Sequence, residues 1–146
     1  MNKIRIKRWD GTDDYYLPFD NETYMADTGT NVDFDTNMLR YTYSSLTTPS
    51  SIIDFDMVTK IQTVKKVQQV LGDKFKKENY VSERLWATAS DGTKIPISMV
   101  HRKDLEISIS TPLLLYVYGA YGHTVDPYFS TIRLSLLDRG FIYAIA

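Results

Sequence analysis

The sequence contains no cysteine and only two histidines, His101 and His123. The absence of cysteine excludes disulfide bonds, thiolate catalysis and cysteine-ligated zinc, and it favours a reducing compartment such as the cytoplasm. Two histidines are too few for most all-histidine metal sites. No other pattern points to a metal or an organic cofactor, so we expect neither.

Long apolar runs and an excess of one charge are also missing. No run approaches the roughly 20 apolar residues of a membrane-spanning helix, and the first residues, MNKIRIKRWDG, lack the apolar core of a secretory signal. The net charge is −1, which gives no general basis for binding nucleic acid or acidic membranes. The sequence therefore predicts a protein with neither kind of partner.

The common catalytic motifs are absent as well. There is no G-x-S-x-G, no G-x-G-x-x-G and no P-loop, and Gly119 and Gly122 are too few to cradle a phosphate. Residues 33–37 begin like a calcium loop, but Met38 and Ser44 stand where that loop needs glycine and glutamate. Motifs alone do not identify an enzyme.

Short alternating segments occupy the first half of the chain. They predict half-buried antiparallel strands around Ile4–Ile6, Tyr15–Leu17, Leu39–Tyr43, Ile53–Phe55 and Ile61–Val67, with polar turns between them. Their spacing suits a sandwich or the blades of a β-propeller.

A polar, lysine-rich segment, Leu71–Tyr80, is predicted to be a linker. Its lysines, Lys74, Lys76 and Lys77, could form a binding patch, although short charged runs are more often solvated connectors. The composition changes near residues 76–80. We therefore expect one domain over residues 1–76 and a second over residues 77–146.

The second half changes from antiparallel strands to a strand–helix–strand pattern. Glu83–Ala89 and Lys94–Val100 predict a hairpin around an Asp-Gly turn. Leu113–Tyr118 and Phe141–Ala146 are nearly continuous apolar runs, typical of strands buried on both faces of a parallel sheet. A helix between two such strands is the unit from which α/β sheets are built.

The predicted helix has recognisable ends. Asp126 can cap it, Pro127 suits its first position, and Gly140 can take the left-handed position after it. Between them, apolar residues recur at helical spacing: Tyr128, Phe129, Ile132, Leu136 and Leu137. Two buried parallel strands with one helix leave a sheet face bare, so we expect an unfinished α/β unit that is marginally stable or self-associates.

The loop Tyr116–Gly122 is the strongest candidate site. It follows an apolar strand, where α/β sheets place their sites, and a tyrosine hydroxyl can donate to an oxyanion. On the residues alone, tyrosines that pack and glycines that turn are the favoured interpretation. His123 in the same loop could approach a ligand, whereas His101 is predicted to lie on the surface.

Several segments together resemble the prolyl oligopeptidase family of serine peptidases, and more closely its oligopeptidase B branch. The segments are LRYTYSSLTTPSS (39–51), YVSERLWATASDGTKIPIS (80–98), PLLLYVYGAYG, DPYFS, RLSLLDRGF and YAIA. The similarity runs from about Asn31 to Ala146. No single short motif carries it, but the order of the long matches makes it specific.

This resemblance implies the last strands of a seven-bladed β-propeller over residues 1–76, followed by the first strands and crossover helix of an α/β-hydrolase domain over residues 77–146. The oxyanion tyrosine of the family, the second in Tyr-Gly-Tyr-Gly, corresponds to Tyr118. Val117 replaces the glycine before it, which is expected to displace the loop if that glycine needs positive φ. The catalytic serine, aspartate and histidine of the family would lie beyond Ala146.

The implied function is part of a cytoplasmic serine oligopeptidase that cleaves short peptides after arginine or lysine by acyl transfer. Without the triad, the 146-residue chain is expected to be inactive. Two alternatives are a stand-alone, non-catalytic β-rich binding module and an interaction subunit whose sheet is completed by a partner.

Overall fold

A computed structural model describes residues 2–72 and 75–146. The described part contains three sheets, one α-helix and a short 3₁₀ turn, Lys77–Asn79. The strands are β1 (Arg5–Lys7), β2 (Asp14–Tyr16), β3 (Tyr24–Thr28), β4 (Met38–Ser45), β5 (Ser51–Asp56), β6 (Gln62–Val67), β7 (Tyr80–Thr88), β8 (Lys94–Arg102), β9 (Leu113–Tyr116) and β10 (Ile142–Ile145), and the helix is α1 (Thr131–Leu137).

The first four-stranded sheet has the form of one propeller blade. Its strands β3, β4, β5 and β6 pair antiparallel in chain order, as the blades of propellers do. All five predicted strands before the linker recur with shifted ends, as β1, β2, β4, β5 and β6. The alternation missed β3, because its sequence YMADT has no clear period; its position follows from pairing with β4, from Tyr24 opposite Ser45 to Thr28 opposite Tyr41.

The β1–β2 ribbon and the blade share one apolar core. Its buried members come from both: Ile4, Leu17, Ala26, Tyr41, Ile53 and Phe55. Along β5, Phe55 alternates with half-buried neighbours. This period of two is the pattern from which an inner-face position is predicted. Its ring meets the ring of Tyr15 edge-on at 6.3 Å.

The second four-stranded sheet has the order β7-β8-β10-β9. The β7–β8 hairpin turns at Gly92, where φ is 87°, as the Asp-Gly signal predicted. The last strand, β10, runs parallel to β9 and antiparallel to β8. The predicted strand–helix–strand unit is therefore present, with α1 as its crossover.

The strand β9 differs from its prediction. It lies at the edge of the sheet, and Leu113 and Leu115 are 55% and 51% exposed. Among the described residues this strand is not buried on both faces, because α1 packs against β8 and β10 and β9 pairs with β10 alone. Its exposed apolar side chains agree with the bare sheet face expected of an unfinished α/β unit.

The start of the helix was also predicted wrongly. Residue Ser130, not Asp126, precedes the first turn, and Pro127 lies outside the helix. The segment before α1 is bound elsewhere, because the Phe129 backbone N–H donates to Ser44 Oγ at 2.9 Å and Phe129 itself is buried. Ile132, predicted to lie on the apolar stripe, is 82% exposed.

The end of the helix agrees with the prediction. Gly140 has φ of 81°. Its N–H donates to the carbonyl of Leu137, and the next N–H, of Phe141, donates to the carbonyl of Leu136. These two bonds form a Schellman motif with Gly140 in its left-handed position.

The blade and the second sheet contact each other directly. Leu46, from the turn after β4, is buried in the second core with Tyr80, Val100, Leu137 and Ile145. The hydroxyls of Thr23 and Ser82 are hydrogen-bonded to each other. The face of the second sheet that carries Ser82 and Val100 therefore faces the blade.

The predicted linker is only partly a solvated connector. Lys74 of the possible lysine patch lies outside the described residues, and Lys76 and Lys77 are exposed. Phe75, by contrast, is half-buried and packs its ring against the rings of Tyr80 and Phe129, at 5.8 and 5.1 Å. Tyr80 already belongs to β7.

Within residues 2–72 and 75–146, the one α-helix is too short to cross a bilayer.

A partly buried hydrogen bond joins the start of β7 to the end of α1. The Tyr80 hydroxyl donates to Asp138 Oδ1 at 2.7 Å, and Arg102 Nη1 donates to the same oxygen at 3.3 Å. The pKa of Tyr80 is raised from 10.0 to about 12. Burial is the largest cause, and the hydrogen bond to the Asp138 carboxylate is the second.

This shift predicts a loss of stability in alkali. Because the folded pKa lies above the unfolded one, the stabilisation by Tyr80 is complete below pH 10 and is lost as pH rises toward about 12. We expect Tyr80→Phe to lower the unfolding free energy by roughly 1 kcal/mol near pH 8, and this difference to shrink between pH 10 and 12. Urea unfolding of both proteins across that range measures it; a constant difference would contradict the assignment.

Candidate active site

The Tyr/Gly loop lies where the two parallel strands of the second sheet end. It follows β9, which is the third strand of that sheet in chain order. Tyr116 pairs with Ile145 of β10, and the Ala146 N–H donates to the Tyr116 carbonyl at 3.1 Å. The loop thus begins at the carboxyl edge of the sheet, the usual place for sites in α/β folds.

The backbone of the loop accommodates valine at position 117. Positive φ values occur in this loop at Tyr121 (56°) and Gly122 (67°), and not at Val117. The His123 N–H closes the turn by donating to the Ala120 carbonyl at 3.1 Å. A β-branched residue is restricted mainly at positive φ, so Val117 fits this backbone without strain.

Packing within the described residues does not account for the tyrosines of this loop. Tyr116 and Tyr118 are about half exposed, and Tyr121 is 92% exposed. The Tyr118 ring lies beside the ring of His123, with centroids 6.4 Å apart. Among the described residues, this exposure leaves the Tyr118 side chain accessible.

Tyr118 and His123 line a cleft of about 250 Å³ on the face of the sheet that meets the blade. Arg84, Ser98 and Asp126 line the same cleft. Arg84 Nη1 donates to Ser98 Oγ at 2.9 Å. His123 therefore lies next to Tyr118, and its approach to a ligand stays a prediction.

Sequence reasoning did not identify Arg84 and Ser98. Strand register brings them together, because Arg84 pairs with Ser98, Ser98 with Ile145, and Ile145 with Tyr116 in one row across the sheet. The Asp-Gly turn is the sequence signal that predicts the first of these pairs. Because residues equally distant from Asp91 pair across the hairpin, a turn at this position places Arg84 opposite Ser98.

His101 was predicted to lie on the surface, and this prediction is wrong. Its side chain is 7% exposed, and it lies within β8, where it pairs with Val81 of β7. Its Nδ1 lies 2.8 Å from the Arg102 carbonyl oxygen. Its buried Nε2 has no hydrogen-bond partner among the described residues and lies 3.6 Å from Glu83 Oε1. His101 faces away from the cleft, since its strand neighbours Val100 and Arg102 alternate with it.

The cleft can polarise a carbonyl but contains no assembled nucleophile. The Tyr118 hydroxyl is an accessible donor, and the Arg84 guanidinium adds positive charge. In the described part of the chain, neither histidine side chain is hydrogen-bonded to a serine. Over residues 2–72 and 75–146, no group of three or more histidine, aspartate or glutamate side chains could hold a metal ion.

Taken together, a four-stranded blade followed by a hairpin and a parallel strand–helix–strand unit defines the class: a propeller joined to the start of an α/β-hydrolase sheet. Comparison with known proteins bears this out in fold. The chain superposes on oligopeptidase B from Leishmania major with a TM-score of 0.82 and 35% identity, covering 99% of this chain and 21% of that one. Oligopeptidase B from Trypanosoma brucei with covalently bound antipain gives a TM-score of 0.79 and 39% identity, covering 91% and 19%.

Curated sequences agree. Dipeptidyl aminopeptidase BI of Pseudoxanthomonas mexicana is 40% identical over 147 aligned residues, which cover 100% of this chain and 20% of the relative. Protease 2 of Moraxella lacunata is 31% identical over 130 residues, covering 89% and 19%. No protein-family model matches the chain. The chain belongs to the oligopeptidase B and prolyl endopeptidase family of peptidases, and it spans about a fifth of the length of these relatives.

Proposed function

We propose that this chain works as one segment of a serine-type oligopeptidase, with residues 1–76 contributing to the propeller and residues 77–146 beginning the hydrolase domain. The observation that carries the proposal is Tyr118, accessible in the loop after the third strand and lining a cleft. In α/β-hydrolases that loop supplies part of the oxyanion hole. The peptidase names of the relatives support the same chemistry.

In the proposed mechanism, a serine outside this segment attacks the peptide carbonyl while a histidine takes its proton. Negative charge then develops on the carbonyl oxygen. The Tyr118 hydroxyl donates to that oxygen, and it stabilises the transition state more than the substrate because the charge is absent in the ground state. We infer a preference for cleavage after arginine or lysine from the likeness to oligopeptidase B.

The 146-residue chain on its own is predicted to have no peptidase activity, since no serine–histidine pair is assembled in its described residues. Arginyl and lysyl fluorogenic peptides, with and without a serine-directed inhibitor, provide the measurement. An active oligopeptidase in the same assay is the control. Inhibitor-sensitive turnover by the purified chain would contradict the prediction, whereas turnover insensitive to it would indicate a contaminant.

A second candidate is an enzyme that removes dipeptides from free amino ends. The 40% identity to dipeptidyl aminopeptidase BI extends over the whole chain and exceeds the 31% identity to protease 2. Substrates with free or acetylated amino groups separate the two functions in the complete protein. An aminopeptidase requires the free amine, whereas an oligopeptidase cleaves the acetylated peptide as well.

The non-catalytic alternatives depend on the exposed face. The half-exposed Leu113 and Leu115 of β9 suit a subunit whose sheet a partner completes, or a chain that self-associates. Sedimentation of the isolated chain distinguishes a stable monomer from either.

The cytoplasmic location favoured by the absence of cysteine also stays a prediction, to be checked by cell fractionation.

A further inference from the structure

We propose that Arg84 binds a carboxylate of the peptide substrate and so positions it relative to Tyr118. This inference rests on the proposed peptidase function. It goes beyond the oxyanion role because it assigns a second residue of the cleft and the chemical group that this residue recognises. Three features of the structure support it: the contacts that hold the Arg84 side chain, the lack of a carboxylate partner for it, and the direction in which it points.

Arg84 is held in place from two sides. Its Nη1 donates to the oxygen of Ser98, a residue only 3% exposed, and its guanidinium carbon lies 5.9 Å from the centre of the Trp86 ring. One of five N–H donors is thereby used. The hydrogen bond to Ser98 restricts the planar group before a ligand arrives, so less side-chain entropy is lost when it binds a carboxylate.

Arg84 lacks a carboxylate partner among the described residues. Arg5, Arg40 and Arg102 each have an aspartate within hydrogen-bonding distance, whereas no carboxylate lies within 4 Å of the Arg84 guanidinium in residues 2–72 and 75–146. Arg133 and Arg139 lack a carboxylate there too, but each donates to a backbone carbonyl oxygen. Glu83 precedes it but points to the opposite face of the sheet, as strand geometry requires. A half-buried guanidinium with unused donors in a cleft favours a bidentate anion.

Arg84 also points toward the place where a substrate would lie. It is on the same face as Ser82, whose hydroxyl is bonded to Thr23 beside the blade, so its side chain faces the space between the blade and the second sheet. It lines one cleft with Tyr118. A peptide whose carbonyl reaches the Tyr118 hydroxyl therefore has neighbouring groups within this cleft. Asp126 lines it too and repels an anion, which leaves the side with Arg84 and Ser98 for the carboxylate.

The test uses the complete protein and peptides with a reduced, uncleavable scissile bond. One pair differs by a free carboxylate or an amide at the C-terminus. A second pair, both amidated, carries glutamate or glutamine, which separates the two possible sources of the carboxylate. Calorimetry gives the Kd of each peptide for the wild type, Arg84→Gln and Arg84→Lys. Lys94→Gln is the matched control, since Lys94 is a cation of the same hairpin that binds Thr88 outside the cleft.

We expect the wild type and Lys94→Gln to bind at least one anionic peptide about tenfold more tightly than its neutral counterpart. Arg84→Gln should abolish that preference, and Arg84→Lys should keep part of it, because lysine retains the charge without the fork. A wild type without preference, or an unchanged preference in Arg84→Gln, would overturn the inference. Failure to cleave normal peptides would instead refute the peptidase function, while the binding data would still decide the role of Arg84.

Discussion

Replacing Tyr118 by phenylalanine in the complete protein is expected to lower kcat by roughly a hundredfold to a thousandfold, with a much smaller change in KM. The substitution removes one hydroxyl and keeps the ring. Loss of one oxyanion donor typically costs about 2.7–4 kcal/mol of transition-state stabilisation. Because the donor acts on charge that develops during the reaction, the ground-state affinity is largely retained. Steady-state kinetics with a fluorogenic arginyl peptide measure both constants.

The same loop supplies the control. Tyr121 is 92% exposed and is not among the residues that line the cleft, so Tyr121→Phe is expected to leave kcat and KM close to those of the wild type. It tests whether loss of any tyrosine hydroxyl from this loop disturbs the enzyme. An unchanged kcat in Tyr118→Phe, or equal losses in both variants, would remove Tyr118 from the oxyanion role.

The parts of the fold that sequence predicted best are those fixed by local chemistry. The Asp-Gly turn needs a left-handed residue, and Gly92 supplies it; Gly140 ends α1 for the same reason. Neighbouring residues alone determine both features. Three of the four blade strands, β4, β5 and β6, were also predicted, because their alternation reflects a sheet with one buried face.

Contacts distant in sequence account for the errors. The capping residues Asp126 and Pro127 satisfy the local rules for a helix start, but the Phe129 N–H bonds to Ser44 of the blade, and the helix begins only after Ser130. His101 follows a predicted strand end, yet β8 continues through it and pairs it with Val81 of β7, and its side chain is buried. Local propensity is a weak prior where tertiary contacts compete with it.

The candidate site divides in the same way. The position of Tyr118 at the end of an apolar strand was visible in the sequence, and its proposed role came from the family resemblance. Arg84 was not visible, because nothing within its own strand relates it to Tyr118. Only the register of β7, β8, β10 and β9 places both residues on one cleft.

Replacing Phe55 by alanine is expected to lower the unfolding free energy of the blade by about 3–5 kcal/mol. Phe55 is 2% exposed and lies at the centre of the core that joins the β1–β2 ribbon to the blade. Its removal forfeits the transfer free energy of the ring and leaves a cavity beside Tyr15, because a packed core relaxes only partly around a deleted side chain. Urea unfolding, followed by far-ultraviolet circular dichroism, measures the change.

Phe34 provides a matched control, because it is the same residue type in the same half of the chain and is 91% exposed. Phe34→Ala removes an identical side chain from water rather than from the core, so we expect a change within about 0.5 kcal/mol. Folded proteins have net unfolding free energies of only about 5–15 kcal/mol, so a chain with the half-exposed β9 tolerates little further loss of stability. Phe55→Ala should therefore unfold at far lower urea than Phe34→Ala. Equal midpoints for the two variants would show that this core does not hold the blade together.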